Sequence, residues 1–512
     1  MVTSDQPVNR RGFFLAAAIS LWIGWGIRGN FGHEYGAMIP GALAAMAIGL
    51  MSGRSDWHAR LSEMALLGAL GWSFGGSMSY MQVVAYTHSG DSPSVLYGFA
   101  CLFVIGFLWA APGGAGTAIA VTASRRFLAD LILPVSIVFG LWWLQGAWLT
   151  PQLESRGVNL NWYDADWLAA TLAIFGGVLA SGIRRRVDPT TGLVLAMSIG
   201  WWAGFGILVL GLGLRMTPPR GDNWSGCLGM TVGALWWLSR MGMAPAARAG
   251  MICGFLGGIG FAAASMLKLV EVTCGYETNW HSILEQTTGL FNGLALAAAM
   301  APLARSARPP IENDPRSTSA PALAFVVLAI TYLNLRKNAG EWVRVGAMPE
   351  SMAGLSTAAW FDLSYFLIAL TLLTLMARHA RRPLAIVPST AIGRGQLLFV
   401  GLLAWLVIGN FERALVHFTA PRLVTEWVIG AVSLVCTALV VGWPPLDRLA
   451  PEAKEAERPR FTRLIVLGLI AAVTSIVLDW AIVRAIYGDK YAGHANLHIR
   501  FGTRATIERG PK

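Results

Sequence analysis

Apolar runs of roughly twenty residues, each closed by a short polar turn, recur along the chain from residue 13 to residue 487. A bilayer core is about 30 Å thick, and a helix crosses it in about 20 mainly apolar residues. The pattern therefore predicts an all-α polytopic transmembrane helix bundle of about 15 spans. They fall at 13–28, 36–52, 65–86, 96–120, 127–149, 166–183, 192–214, 226–239, 246–268, 282–303, 320–335, 356–377, 395–412, 423–443 and 464–487. Spans 36–52 and 226–239 are short, and are expected to tilt into the bundle or to be partly re-entrant.

Cations sort to alternate loops. With a cytoplasmic N-terminus, the inner loops hold Arg54 and Arg60, then Arg125 and Arg126, then Arg184, Arg185 and Arg186. They continue with Arg240 and Arg248, with Arg305, Arg308 and Arg316, and with Arg378, Arg381, Arg382 and Arg394. The last holds Arg448, Lys454, Arg458, Arg460 and Arg463. Outer loops before residue 330 are poorer: 87–95 has no cation and 150–165 only Arg156. Lys and Arg collect on cytoplasmic loops, so the bias predicts an integral protein of the plasma (inner) membrane with its N-terminus inside. An odd span count then puts the polar tail, 488–512, outside. The opening Asn9-Arg10-Arg11-Gly12-Phe13-Phe14-Leu15 spells a twin-arginine signal. No small-residue cleavage site follows, so it reads as the inner anchor of the first helix. The polar, Pro/Ser-rich segment 304–319 divides a core at 1–303 from accessory helices at 320–487.

Composition agrees with lipid as the solvent. Only 13% of the 512 residues are charged and 55% are hydrophobic, against about a quarter charged in soluble domains. The net charge of +11 does not point to nucleic acid, because the arginines punctuate apolar runs and form no stripe. Cys101, Cys227, Cys253, Cys274 and Cys436 form no CxxC, no zinc pattern and no disulfide framework. Cys227 and Cys274 fall near one membrane face, which leaves a single bridge between them open.

Spans 1–4 and 7–10 echo each other. Gly24-Trp25-Gly26-Ile27-Arg28 ends the first span and Gly211-Leu212-Gly213-Leu214-Arg215 the seventh. Each is followed by a short span with Gly-Ala-Leu (at 41–43 and 233–235) and by a glycine-rich helix running into Ser-Met (77–78 and 265–266). The offset of six spans is even, so the two copies form a parallel repeat. Small residues three or four apart let backbones approach, which places the third and ninth spans at the bundle centre. In span 96–120, Pro112-Gly113-Gly114-Ala115-Gly116 is expected to break the helix.

Candidate chemistry concentrates in the loop Arg28 to Tyr35. It holds Arg28, Asn30, His33, Glu34 and Tyr35 between glycines that allow a ligand close. A guanidinium binds an anion bidentately, and an imidazole beside a carboxylate can exchange a proton. The bland alternative is a polar turn in which Arg28 pairs with Glu34. In the second copy Arg215 takes the place of Arg28. Lys268 and Glu271 lie three apart on one helix face, suited to pairing or to the same site. Glu285, Asp362, Glu412, Arg413, Glu426, Asp479 and Arg484 also fall in or near spans. Gly24-x-Gly26-x-x-Gly29 follows no strand and is not a dinucleotide fingerprint. Ser265-x-x-Lys268 lacks the partner motifs of the serine acylases. No metal site and no cofactor motif is found. Charged residues in spans mark pathways, so the expectation is a transporter for a small polar or anionic solute with an outward-facing site. The rival is a membrane-embedded transferase using a lipid-linked donor at the outer face. The third reading is a non-catalytic subunit of a membrane complex. Lipid is the expected partner, and a homo-oligomer or a membrane-complex partner is compatible with the chain.

Overall fold

The computed structural model describes residues 10–32, 34–75, 80–158, 160, 162–214, 216, 223–306, 318–416, 419–442 and 461–488. Helices α1 (Arg10–Phe31), α2 (Glu34–Met51), α3 (Leu61–Gly75) and α4 (Ser92–Thr122) come first. Next are α5 (Arg125–Leu144), α6 (Trp167–Arg184), α7 (Pro189–Phe205) and α8 (Asn223–Arg240). Then come α9 (Ala244–Ala264), α10 (Leu267–Cys274) and α11 (Trp280–Ser306). The helical segment α12 (Ser319–Arg344) precedes α13 (Thr357–Arg381), α14 (Ala391–Val416), α15 (Ala420–Gly442) and α16 (Phe461–Tyr487). Among the described residues the only strands form a two-residue hairpin, Ser351–Met352 with Leu355–Ser356.

Among the described residues, twelve helical segments are long and apolar enough to cross a membrane. The chain is a multi-pass helical protein of membrane type. The three further segments expected as spans fold as α2, α3 and α8. Helix α3 has only 15 residues, and α8 carries Asn223, Ser225, Thr231, Ser239 and Arg240. Helix α2 is 18 residues long and is buried on every side from Gly36 to Met51, so it needs no lipid-facing stripe.

Helices α1, α2, α3, α4, α9 and α11 close into a ring, each packed on the next and α11 back on α1. Helices α5 to α8 flank it in sequence, with α8 resting on α9. On the other side α14 and α15 pack on α1 and α2, and α16 lies across α4 and α9. Close backbone approach makes the ring possible. A Cβ at Gly41 would come within 2.5 Å of the Gly68 carbonyl oxygen, and one at Gly68 within 2.6 Å of that of Gly41. Gly71, Gly75 and Gly116 would each come within 2.3 Å of a carbonyl oxygen across the α3–α4 contact. On its opposite side α4 meets α9 through Gly106, whose Cβ would lie 2.8 Å from the Gly257 carbonyl. Helix α4 is thus clamped between the two glycine-rich helices.

The Pro112–Gly116 run does not break its helix: α4 is continuous from Ser92 to Thr122. Its glycines serve contact instead, with Trp72 against Gly113 and Cys253 against Gly114. A membrane helix tolerates such residues where protein surrounds it. The interruptions fall in its neighbours. Helix α3 ends at Gly75 and a short helix resumes at Met81; α9 ends at Ala264 and α10 begins at Leu267. The second interruption is at Ser265-Met266 and the first is seen at Tyr80; residues 76–79 lie outside the described residues.

None of the five cysteines is joined in a disulfide, and Cys227 is buried while Cys274 is exposed, so the bridge left open between them does not form. Two arginines assigned above to inner loops are buried helix caps. Arg60 Nη1 donates to the carbonyls of Ala120 and Ala123 at the end of α4 (2.9 and 2.7 Å). Arg54 donates to the Leu303 carbonyl near the end of α11. Their positive charges sit where helix carbonyls are unpaired and the dipole is negative. The segment 304–319 is helical at its start, because α11 continues to Ser306. Asn9, Arg308, Arg316, the cations from Arg448 to Arg460 and the tail from residue 489 lie outside the described residues.

Candidate functional site

Trp25 and Arg28 are three residues apart on α1 and share a helix face. That face looks into the ring. The Arg28 guanidinium lies over the Trp25 ring at 5.3 Å and the Trp109 ring at 5.1 Å. Its Nη1 donates to both oxygens of Glu285 on α11, at 2.7 and 3.0 Å. Both side chains are 1% exposed. The Tyr80 hydroxyl, between α3 and the next short helix, donates to the same carboxylate. Phe261 of α9 packs edge-on against Tyr80 and tilted on Trp109. Trp72 of α3 closes the cage, edge-on to Trp25. A Cβ at Gly36 of α2 would lie 3.0 Å from the Arg28 carbonyl. Each helix of the ring therefore shapes this centre.

Helix α11 reaches α1 through a small-residue pair. Gly289 and Gly293 are four apart, and a Cβ on either would lie 2.4 Å from a carbonyl oxygen of α1. That approach carries Glu285 one turn earlier to Arg28. One turn earlier again, His281 places Nε2 3.8 Å from Glu285. Its ring stacks on Tyr80 at 6.4 Å. The His281 side chain is 43% exposed, so it sits between the bundle surface and the buried carboxylate. The chain of contacts runs from a surface imidazole to a buried ion pair, an arrangement suited to moving a proton or receiving an anion.

A second polar cluster joins the end of α1 to the later helices. Asn30 Nδ2 donates to Asn410 Oδ1 (2.7 Å) and Glu426 (3.2 Å), and Arg422 donates to Asn30 Oδ1 (2.9 Å). Asn410 also donates to Glu426. Lys337 donates to the Phe31 carbonyl and lies 5.9 Å from the Tyr35 ring. Glu412 accepts from Asn338 (2.7 Å) and Tyr365 (2.8 Å).

Of the residues singled out from sequence, Arg28 and Asn30 are thus neighbours in chain but belong to two clusters. Tyr35 is exposed beside Lys337. His33 and Arg215 lie outside the described residues, as does the side chain of Glu34. Arg28 pairs with Glu285, 257 residues away; the Glu34 pairing weighed from sequence lies outside the described residues. Lys268 and Glu271 pair with each other on α10. Tyr80, Trp109, His281 and Glu285 were not assigned to the site. The Gly289-x-x-x-Gly293 spacing is the signal that would have placed α11 against α1.

At the opposite helix ends a cavity of about 570 Å³ is lined by Arg126, Asp130, Arg186, Asp188 and Thr190 among others. Its charges are largely spent on one another. Arg184 pairs with Asp188 at 2.6 Å, and Arg126 approaches Asp130 at 3.8 Å. Asp188 caps α7 by accepting from Thr190 and Thr191. Among the described residues no group of three or more His, Cys, Asp or Glu side chains could hold a metal ion. The chain matches no family model, no curated protein and no solved structure.

Proposed function

We propose that the chain is a multi-span transporter for a small polar or anionic solute, received at Arg28. One observation carries this reading: a guanidinium–carboxylate pair, almost fully desolvated, at the centre of a closed helix ring. Such a pair is a poor stabilising device, because desolvation of both charges offsets most of their attraction. Ionised groups at membrane depth mark routes for solutes, ions or protons. Two ring helices are interrupted close to Tyr80 and Phe261, and transporters built from repeats bind solute at such interruptions. The echo between spans 1–4 and 7–10 supports the same reading. The loop charges favour a cytoplasmic N-terminus in the plasma membrane, which turns His281 toward the outside.

The test is uptake of labelled formate, lactate, nitrate and sulfate by the purified protein in liposomes. At least one should accumulate above protein-free vesicles, and Arg28→Gln should abolish it while the variant stays inserted and monodisperse. Failure of all four to move, with turnover of a labelled lipid-linked donor by the same preparation, replaces this reading with a membrane-embedded transferase.

A further inference from the structure

We infer that anion binding at Arg28 requires a proton on Glu285, delivered through His281, so that one proton travels with each anion; the inference rests on the transport reading above. Glu285 and an incoming anion compete for one guanidinium. Nη1 of Arg28 already makes both bonds to Glu285, and its plane is bounded by the rings of Trp25 and Trp109. An anion that joins Arg28 beside an ionised Glu285 leaves two negative charges to one guanidinium. Such an uncompensated charge in a dry ring is strongly disfavoured. A proton removes that obstacle: the ionised carboxylate takes up H⁺ to become the neutral acid, and no other bond changes.

The route for that proton is present. His281 Nε2 faces Glu285 Oε1 at 3.8 Å, within reach of one bridging water or a small ring rotation. Nδ1 is buried without a partner among the described residues, so the proton enters and leaves at Nε2, which a ring rotation turns between the bundle surface and Glu285. The charged or titratable groups placed against Glu285 among the described side chains are Arg28 from α1, Tyr80 from the segment after α3, and His281 from its own helix. The Tyr80 hydroxyl can bond to the carboxyl group in either state. The two indole faces hold the Arg28 cation in position while Glu285 is neutral.

The cage also offers donors to the arriving anion. The indole N–H groups of Trp25, Trp72 and Trp109 are buried and have no acceptor among the described residues. The Asn292 amide, on α11 beside Gly257 of α9, is likewise buried, its Nδ2 without an acceptor and its Oδ1 without a donor among the described residues. These groups and Arg28 suit a small monovalent anion. With such an anion and one proton, transport is electroneutral. Linkage is reciprocal, so affinity should rise about tenfold per unit fall in pH while Glu285 is ionised in the free protein.

The experiment titrates the full-length protein in detergent with formate, lactate and nitrate, none of which carries a proton at pH 7 by its own acidity. Calorimetry in two buffers of different ionisation enthalpy gives the protons taken up per anion. The expected count is about one for wild type. Glu285→Gln should take up none, and its affinity should lose pH dependence. His281→Asn should slow the proton-linked phase in stopped flow by about a hundredfold. Anion binding by wild type without proton uptake, or undiminished uptake by Glu285→Gln, overturns the coupling and leaves the transport reading standing. Absence of any binding heat with wild type removes both. If Glu285→Gln does not fold, the wild-type proton count decides alone.

Discussion

Arg28 is held by interactions that fail differently. The ion pair with Glu285 is strong only while both partners are present. Removing one leaves a buried charge without its counter-ion, at a cost of about 3–5 kcal/mol. Arg28→Leu or Glu285→Leu alone should therefore lower the apparent melting temperature in detergent sharply. The double substitution Arg28→Met with Glu285→Leu should recover most of the loss, since neither charge remains. A single variant as stable as the double would show that the pair is hydrated. Asp188 at the other face gives the pH dependence. Burial alone would raise its pKa, but hydrogen bonds from Thr190, Arg184 and Thr191 outweigh it and hold the carboxyl well below its ordinary range. The folded-state value thus lies below that of the unfolded chain. The resulting stabilisation is complete above about pH 4 and is lost as pH falls through the folded-state value. Asp188→Asn should flatten the acid limb of a melting-temperature profile; an unaltered limb would count against this account.

Helix contacts in this protein depend on what is missing from their surfaces. A Cβ at Gly71 would lie 2.3 Å from the carbonyl oxygen of Pro112, a backbone atom with nowhere to move. At Gly140 on α5 the same Cβ would meet nothing within 4 Å. Two substitutions of one chemical kind should therefore have opposite signs. Gly71→Ala should lower the melting temperature and the yield of folded protein by separating α3 from α4. Gly140→Ala should stabilise by about 0.5–1 kcal/mol, the usual gain from replacing a helical glycine in open space. The reverse order in a thermal-shift measurement would reject the close-packed ring. The buried caps Arg54 and Arg60 belong to the same scale. They look from sequence like topology signals, yet each also closes the end of a ring helix.

The whole molecule turns on the carboxyl end of α1. One side of it faces the ring through Arg28, and the other binds α12, α14 and α15 through Phe31, Asn30 and their partners. A shift of this end would be felt by both helix groups. Its side of the membrane can be read with a native reporter. Cys274, at the end of α10 just before α11, is exposed, while Cys101, Cys227, Cys253 and Cys436 are buried. Because α11 begins beside the end of α1, Cys274 reports that face. An impermeant maleimide added to right-side-out vesicles should label it at once. Labelling only after permeabilisation would place the His281 mouth inside and reverse the orientation drawn from the loop cations.

Helix type and position were legible in the chain, since crossing a bilayer demands about 20 apolar residues in a row, a property each segment carries by itself. The glycine-rich helices at 61–75 and 244–264 were legible as contact surfaces for the same reason. Arg28 stood out because a cation beside a long apolar run is costly. What the chain could not disclose is which carboxylate answers it. Glu285 lies 257 residues away. Ring closure brings it to Arg28, when Gly289 and Gly293 let α11 settle on α1. The fate of Pro112–Gly116 was likewise decided by neighbours, because a glycine run that weakens an isolated helix becomes a docking surface once α3 and α9 cover it. Burial of the pair, the aromatic cage and the His281 entrance are products of that assembly, because desolvation depends on what surrounds a group and not on its sequence neighbours.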